Sequence, residues 1–153
     1  MQPATLDEYL HSRIPLSRAM AVRVLRADPA GVALEAPLAP NVNHRDTVFG
    51  GSACAVAILA AWSALYVRMQ SEGLAGRIVI RRNSMSYERP ITGDFSAAAA
   101  PPDAAAWEKF AAMLARQRMA RVRVVAILLC AGSRVGELDA EFAVLPPEEE
   151  ARL

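Results

Sequence analysis

Apolar positions change period several times along the chain, and each change marks an element. Leu6, Tyr9 and Leu10 recur at helical spacing behind a Thr5-x-x-Glu8 capping box, which predicts a short amphipathic helix within residues 1–18 that Pro15 interrupts. Residues 21–27 (AVRVLRA) and 31–38 (GVALEAPL) alternate apolar with polar on either side of the turn DPAG, as a hairpin does, and Pro37 and Pro40 end the second strand. From about Gly50 to Gln70 the chain is apolar on every side, which predicts a helix roughly 30 Å long at 1.5 Å per residue, with Gly73 as its C-terminal cap. Residues 76–94 read as a long strand ended by Pro90, with Gly93 turning the chain into DFSAAAA. Asp103 is placed to cap a second helix carrying Trp107, Phe110 and Leu114 on one face. Residues 119–131 and 136–145 read as paired strands joined around Gly132 to Gly136, and residues 146–153 (PPEEEARL) as a charged tail with no assigned function.

No charged residue lies between Asp46 and Arg68, so the uncharged run is long enough to raise the question of a membrane span. Its composition points elsewhere. Ala dominates, Gly, Ser, Thr and Cys are interspersed, and Thr47 to Gly51 reads as turn and cap rather than helix interior. A helix apolar all round in such a setting is one wrapped by the rest of its own fold. Strands grouped in adjacent pairs predict a mostly antiparallel sheet, because hairpins need only short turns. The expected fold class is therefore α+β: one domain over residues 1–153, with an antiparallel sheet curled around a long central helix.

Composition narrows the partners. With 17 Lys+Arg against 16 Asp+Glu, the net charge of +1 gives no bias toward nucleic acid or anionic lipid, and basic and aromatic residues are not interleaved. Cys54 and Cys130 are too few for a disulfide framework and have no metal-ligand spacing, which suits a reducing cytoplasm and no metal site. The start MQPATLDEYL carries acids where an export signal would need basic and then apolar residues.

The helix entered through FGG and the phrase YERPITGD near a strand end resemble a hotdog-fold protein. IPLSRAM, LAPNVNHRDTVFGGS and the insertion before MARVRV further resemble the YiiD C-terminal-type family, thioesterase-like proteins that include malonyl-ACP decarboxylases of bacterial fatty-acid initiation. The resemblance implies a homodimer with acyl-thioester sites where one subunit's helix start meets its partner's sheet. It also implies an acyl-ACP or acyl-CoA substrate that carries its own phosphopantetheine or CoA, so that no separate cofactor is needed.

Thioester chemistry needs donors where negative charge develops on the carbonyl oxygen. Gly50 and Gly51 at a helix start allow close approach to free backbone N–H groups, so the Gly51 N–H is either an oxyanion donor or simply part of a tight loop. Asn43 lies seven residues before Gly50, the spacing at which the related enzymes place an asparagine that orients the thioester or its attacking water. His44 is either a proton carrier or a loop-stabilising residue facing solvent. Asp46, the sole loop carboxylate, is either a general base or a cap for the next turn. Ser52 either points at substrate or caps the helix, and Cys54 is either an acyl nucleophile or a small buried residue. Phe49 stands where hydrolytic relatives have the histidine of His-Gly-Gly, and no acid follows in the helix, where those relatives often carry one. Arg81 and Arg82, like Arg116, Arg118, Arg121 and Arg123, are either phosphate or carrier-protein contacts or solvated strand residues. Without a helix acid, decarboxylation of a malonyl thioester is the expected reaction. Hydrolysis with Asp46 as base and non-catalytic acyl-thioester binding are the alternatives.

Overall fold

A computed structural model describes residues 1–147; the charged tail read at residues 146–153 lies outside the described residues from Glu148 onward. Pro3 begins the first helix, α1 (Pro3–Arg13), at the position where a missing N–H costs nothing. The expected Thr5 capping box does not form. The helix starts three residues earlier, with Gln2 as an N-cap that offers no side-chain bond, and the Thr5 and Leu6 N–H groups both reach the Gln2 carbonyl. Pro15 then opens a second short helix, α2 (Pro15–Ala19), rather than merely ending the first.

Strands β1 (Arg23–Asp28) and β2 (Gly31–Ala36) form the expected hairpin, and the Asp28 carboxylate accepts from the Ala30 N–H at 2.8 Å in its turn. A 3-10 turn (Ala39–Asn41) leads through the polar loop to α3 (Gly50–Ser71). Gly73, at φ 66°, takes the left-handed turn that ends α3, and the N–H of Leu74 returns to the Met69 carbonyl. There follow β3 (Arg77–Tyr87), β4 (Phe95–Ala99), α4 (Ala104–Ala115), β5 (Ala120–Cys130) and β6 (Ser133–Leu145). Asp103 caps α4 through the Ala106 N–H at 2.9 Å, and Trp107, Phe110 and Leu114 are its buried face.

The six strands form one sheet in the order β1-β2-β4-β5-β6-β3, with every neighbouring pair antiparallel. Two details differ from the sequence reading. β3 and β4 are not partners: the link that holds Pro90 crosses the end of the sheet, so β3 pairs with β6 at one edge while β4 sits between β2 and β5. The last hairpin is tighter than expected, because Ala131 and Gly132 both adopt positive φ (50° and 77°), a two-residue turn that lets β6 begin at Ser133. Gly136 is consequently inside β6, where a Cβ would sit 2.8 Å from the Ser86 carbonyl.

The sheet curls around α3, as expected for a hotdog fold. Val56, Ala57, Ala60, Ala61, Ala64 and Leu65 are fully buried, and their mostly small side chains let strands approach the helix axis closely. The uncharged run is therefore the core of the sheet: 56% of its most apolar window is buried within the fold.

Candidate active site at the start of the central helix

The loop before α3 is built by its own asparagines. Asn41 is buried; its side-chain amide donates to the carbonyls of Met20 (2.9 Å) and Pro37 (2.8 Å), while its backbone carbonyl accepts the Phe49 N–H at 2.7 Å. That clamp fixes where α3 begins. A bridge between Val42 and Val48 then closes a small hairpin whose tip is residues 43–47.

Asn43 organises this tip. Its Oδ1 accepts from the N–H groups of Arg45 (2.8 Å) and Thr47 (3.2 Å), and its Nδ2 donates to the Thr47 hydroxyl at 2.8 Å. An amide has two acceptor sites and two donor hydrogens, so one Nδ2 hydrogen remains unused within the loop. Asp46 takes the left-handed conformation (φ 60°), which Asp tolerates. Its carboxylate is exposed and caps nothing: among the described residues it has no hydrogen-bond or ion-pair partner, so the capping alternative does not hold. His44 is likewise exposed and without a partner among the described residues.

Phe49 is the N-cap residue of α3, and no side chain caps the helix, Ser52 included, because Ser52 lies beyond the cap position. The first intrahelical bond runs from the Ala53 N–H to the Phe49 carbonyl at 3.1 Å, leaving the N–H groups of Gly50, Gly51 and Ser52 without intrahelical acceptors. Gly51 is exposed. The Phe49 ring lies over it so closely that a Cβ on Gly51 would meet Cε1 at 2.4 Å. Any other residue there would push aside the exposed Phe49 ring.

Tyr87, at the end of β3, closes the other side. Its hydroxyl donates to the Gly50 carbonyl at 2.9 Å, and a Cβ on Gly50 would touch its ring at 3.4 Å. Burial pushes the Tyr87 hydroxyl pKa up, with nearby Cys54 adding to the shift, so the phenol stays protonated at neutral pH. Cys54 donates weakly to Asn83 Oδ1 at 3.7 Å, and burial raises its pKa as well. A thiol held neutral is a poor acyl nucleophile, which favours the structural reading of Cys54.

A cleft of about 380 Å³ opens beside the helix start, lined by Thr47, Val48, Gly50, Ala53 and the stretch 87–91. Glu88 is its carboxylate, and Arg134 grips both oxygens of Glu88 (Nη2 to Oε1 at 2.9 Å) while also bonding Glu137. A carboxylate so engaged is not available as a base. Tyr87 and Glu88 open the phrase YERPITGD that carried the resemblance, but nothing in the sequence assigned them a role, since a period-2 pattern does not say which strand end meets which helix start.

Arg81 and Arg82 are not at this helix start within one chain. They lie six and five residues before Tyr87 on β3, roughly 17–20 Å away along a strand. Arg81 occupies a bulge and pairs with Glu141 at 2.9 Å; Arg82 is exposed.

An antiparallel sheet wrapped on one apolar helix, with the glycine-opened end of that helix presenting bare N–H groups, defines a hotdog protein of the thioesterase type. The chain belongs to the YiiD_C family, described as "Putative thioesterase (yiiD_Cterm)", whose profile matches residues 3–146. A "putative thioesterase" from Shewanella oneidensis superimposes with a TM-score of 0.85 at 28% identity, covering 94% of this chain and 97% of that one. A Chlorobaculum tepidum TLS protein of unknown function gives a TM-score of 0.88 at 25% identity, with 94% of each chain covered. A Pseudomonas aeruginosa protein, at 20% identity, shares the fold with a TM-score of 0.80, covering 94% of this chain and 96% of that one.

Proposed function

We propose that the protein decarboxylates a malonyl thioester, carried on ACP or CoA, to the acetyl thioester. The carrying observation is a helix start with exposed, uncapped N–H groups at Gly51 beside a cleft whose one lining carboxylate, Glu88, is locked by Arg134. In this reading the thioester oxygen is held by the Gly51 N–H and the remaining Nδ2 hydrogen of Asn43. The bond between Cα and the carboxylate breaks, CO2 leaves, and the electron pair moves into the enolate that those donors stabilise. Protonation at Cα then gives the acetyl group, and the protonated Tyr87 hydroxyl is a proton carrier already at the helix start. Phe49 and Gly50 wall the entry, and the aromatic ring suits a departing carboxylate that must lose its water.

The acceptor of the second half of the substrate is a second copy of the chain. Among the described residues no strand pairs with the outer edge of β3, and none of its eleven residues is buried. Such a long edge, carrying exposed Ile80, is a template for strand pairing. Antiparallel pairing of the two full strands would set the start of a second copy's β3 opposite Tyr87 and leave Arg82 near the centre of the pair, where it would meet only a substrate arm that runs along the sheet.

One observation favours a second reading. The Asp46 carboxylate is unengaged among the described residues, which suits hydrolysis with Asp46 as base, in keeping with the family's description. Asp46→Asn separates the two: turnover on malonyl-ACP unchanged within about threefold supports decarboxylation, whereas a loss on the order of a hundredfold assigns the base role to Asp46 and overturns the proposal.

A further inference from the structure

A second cavity, larger than the cleft at the helix start, lies away from it. It is a groove of about 920 Å³ between α4 and the first half of β5. Its origin is readable in the sequence. β4 ends at Ala99, opposite Ala126, because the chain continues into Pro101 and Pro102, which have no N–H to extend the ladder. β5, however, begins six residues earlier, at Ala120. Residues 120–125 therefore pair with β6 on one side, and on the other side no strand or side chain among the described residues takes up their backbone groups. The facing wall is one side of α4, with Ala106, Lys109, Phe110 and Met113 at helical spacing.

We propose that this open edge of β5 is a docking groove for an extended, acidic peptide of a partner protein, added as a strand between β5 and α4. The length fits: six open positions match a strand of ordinary size, about 20 Å. The chemistry fits too. Backbone groups on β5 supply the ladder, while the half-buried Met113 receives side chains on one face of the incoming strand. Charge selects the partner. Of the four charged residues lining the groove, Lys109, Arg121 and Arg123 are cationic, and the carboxylate of Asp103 is committed to capping α4. Arg123 is paired with Asp139, but Lys109 and Arg121 have no ion-pair partner among the described residues, nor do Arg116 and Arg118 on the approach to β5. A second copy docking by the same edge would set two such cationic rims against each other, which disfavours self-association here.

The test is selection of a phage-displayed decapeptide library on the full chain, with Ala106→Trp, which fills the groove from an exposed position, as counter-target; Lys109→Glu replaces it should that variant not fold. Enriched peptides are expected to be acidic. Their synthetic forms are expected to bind Lys109→Glu/Arg121→Glu at least tenfold more weakly, and to lose binding when alternate backbone nitrogens are methylated, since strand addition needs those N–H groups. Failure to enrich any peptide that distinguishes the open from the filled groove overturns the proposal. So does binding indifferent to N-methylation or charge reversal, or self-association that the groove-filling variant abolishes.

Discussion

At the scale of single residues, the proposed chemistry rests on Gly51 and Asn43, and each also has a structural duty that experiments must separate from it. Gly51→Ala forces a Cβ into the Phe49 ring, so the ring must swing off the helix start. Activity is expected to fall at least tenfold, and adding Phe49→Ala, which removes the clash, is expected to restore part of it; steady-state kinetics of the single and double variants checks this. Asn43→Ala removes a donor worth roughly 3 kcal/mol in a transition state, about a hundredfold in kcat. It also dismantles the loop tip, so Thr47→Val is the control: it deletes only the acceptor of one Nδ2 hydrogen. That variant is expected to keep kcat within a few-fold, whereas a loss equal to that of Asn43→Ala would make Asn43 a scaffold residue alone. The position of Gly50 and Gly51 at a helix start was legible because it is local, and Asn43 stood out through the resemblance. Tyr87 was visible only as part of the phrase YERPITGD, since its place at Gly50, thirty-seven positions earlier, depends on the chain folding back. Of the two roles open to Asp46, the cap does not form, because the carboxylate on its left-handed backbone is exposed to solvent.

Elements were the most legible level, since periodicity, proline and glycine act locally. Gly73 and Asp103 ended and began helices where expected, and β1–β2 closed as a hairpin. The failures came where local signals competed. Pro3 overrode Thr5 as a helix start, and a two-residue turn displaced the longer one read between Gly132 and Gly136. One joint between elements sets a pH dependence. Trp107 on α4 donates to Glu72 Oε2 at 2.9 Å, and Arg68 on α3 donates to Oε1 at 2.6 Å while its guanidinium stacks on the Trp107 ring. The Trp107 hydrogen bond first, and Arg68 after it, hold the Glu72 carboxyl below its ordinary value. With a lower pKa in the folded state, this joint stabilises the fold above about pH 4.5 and stops doing so as pH falls through the depressed value. Glu72→Gln is expected to lower Tm at pH 7 by a few degrees at most, because the pair is partly exposed, and to flatten the decline of Tm on acidification. Thermal melts between pH 7 and pH 3 check it, and identical slopes for both proteins would contradict it.

For the whole molecule, a sheet around an apolar helix followed from a charge-free run and paired strands, but the strand order did not. β3 reaches the sheet edge because its link crosses the sheet's end, a long-range outcome that no local pattern encodes. That edge makes the assembly testable. Chains of 16.5 kDa are expected to sediment as dimers, and Ile80→Lys, which puts a charge on the open edge, is expected to yield monomers of nearly unchanged Tm that have lost activity. Dimers that persist in Ile80→Lys would place the contact elsewhere. The central claim is the reaction itself, and it is tested most directly by incubating the pure protein with malonyl-ACP and malonyl-CoA while following CO2 and free thiol together. The account expects CO2 released in step with acetyl thioester and no free thiol; thiol released without CO2 would contradict it.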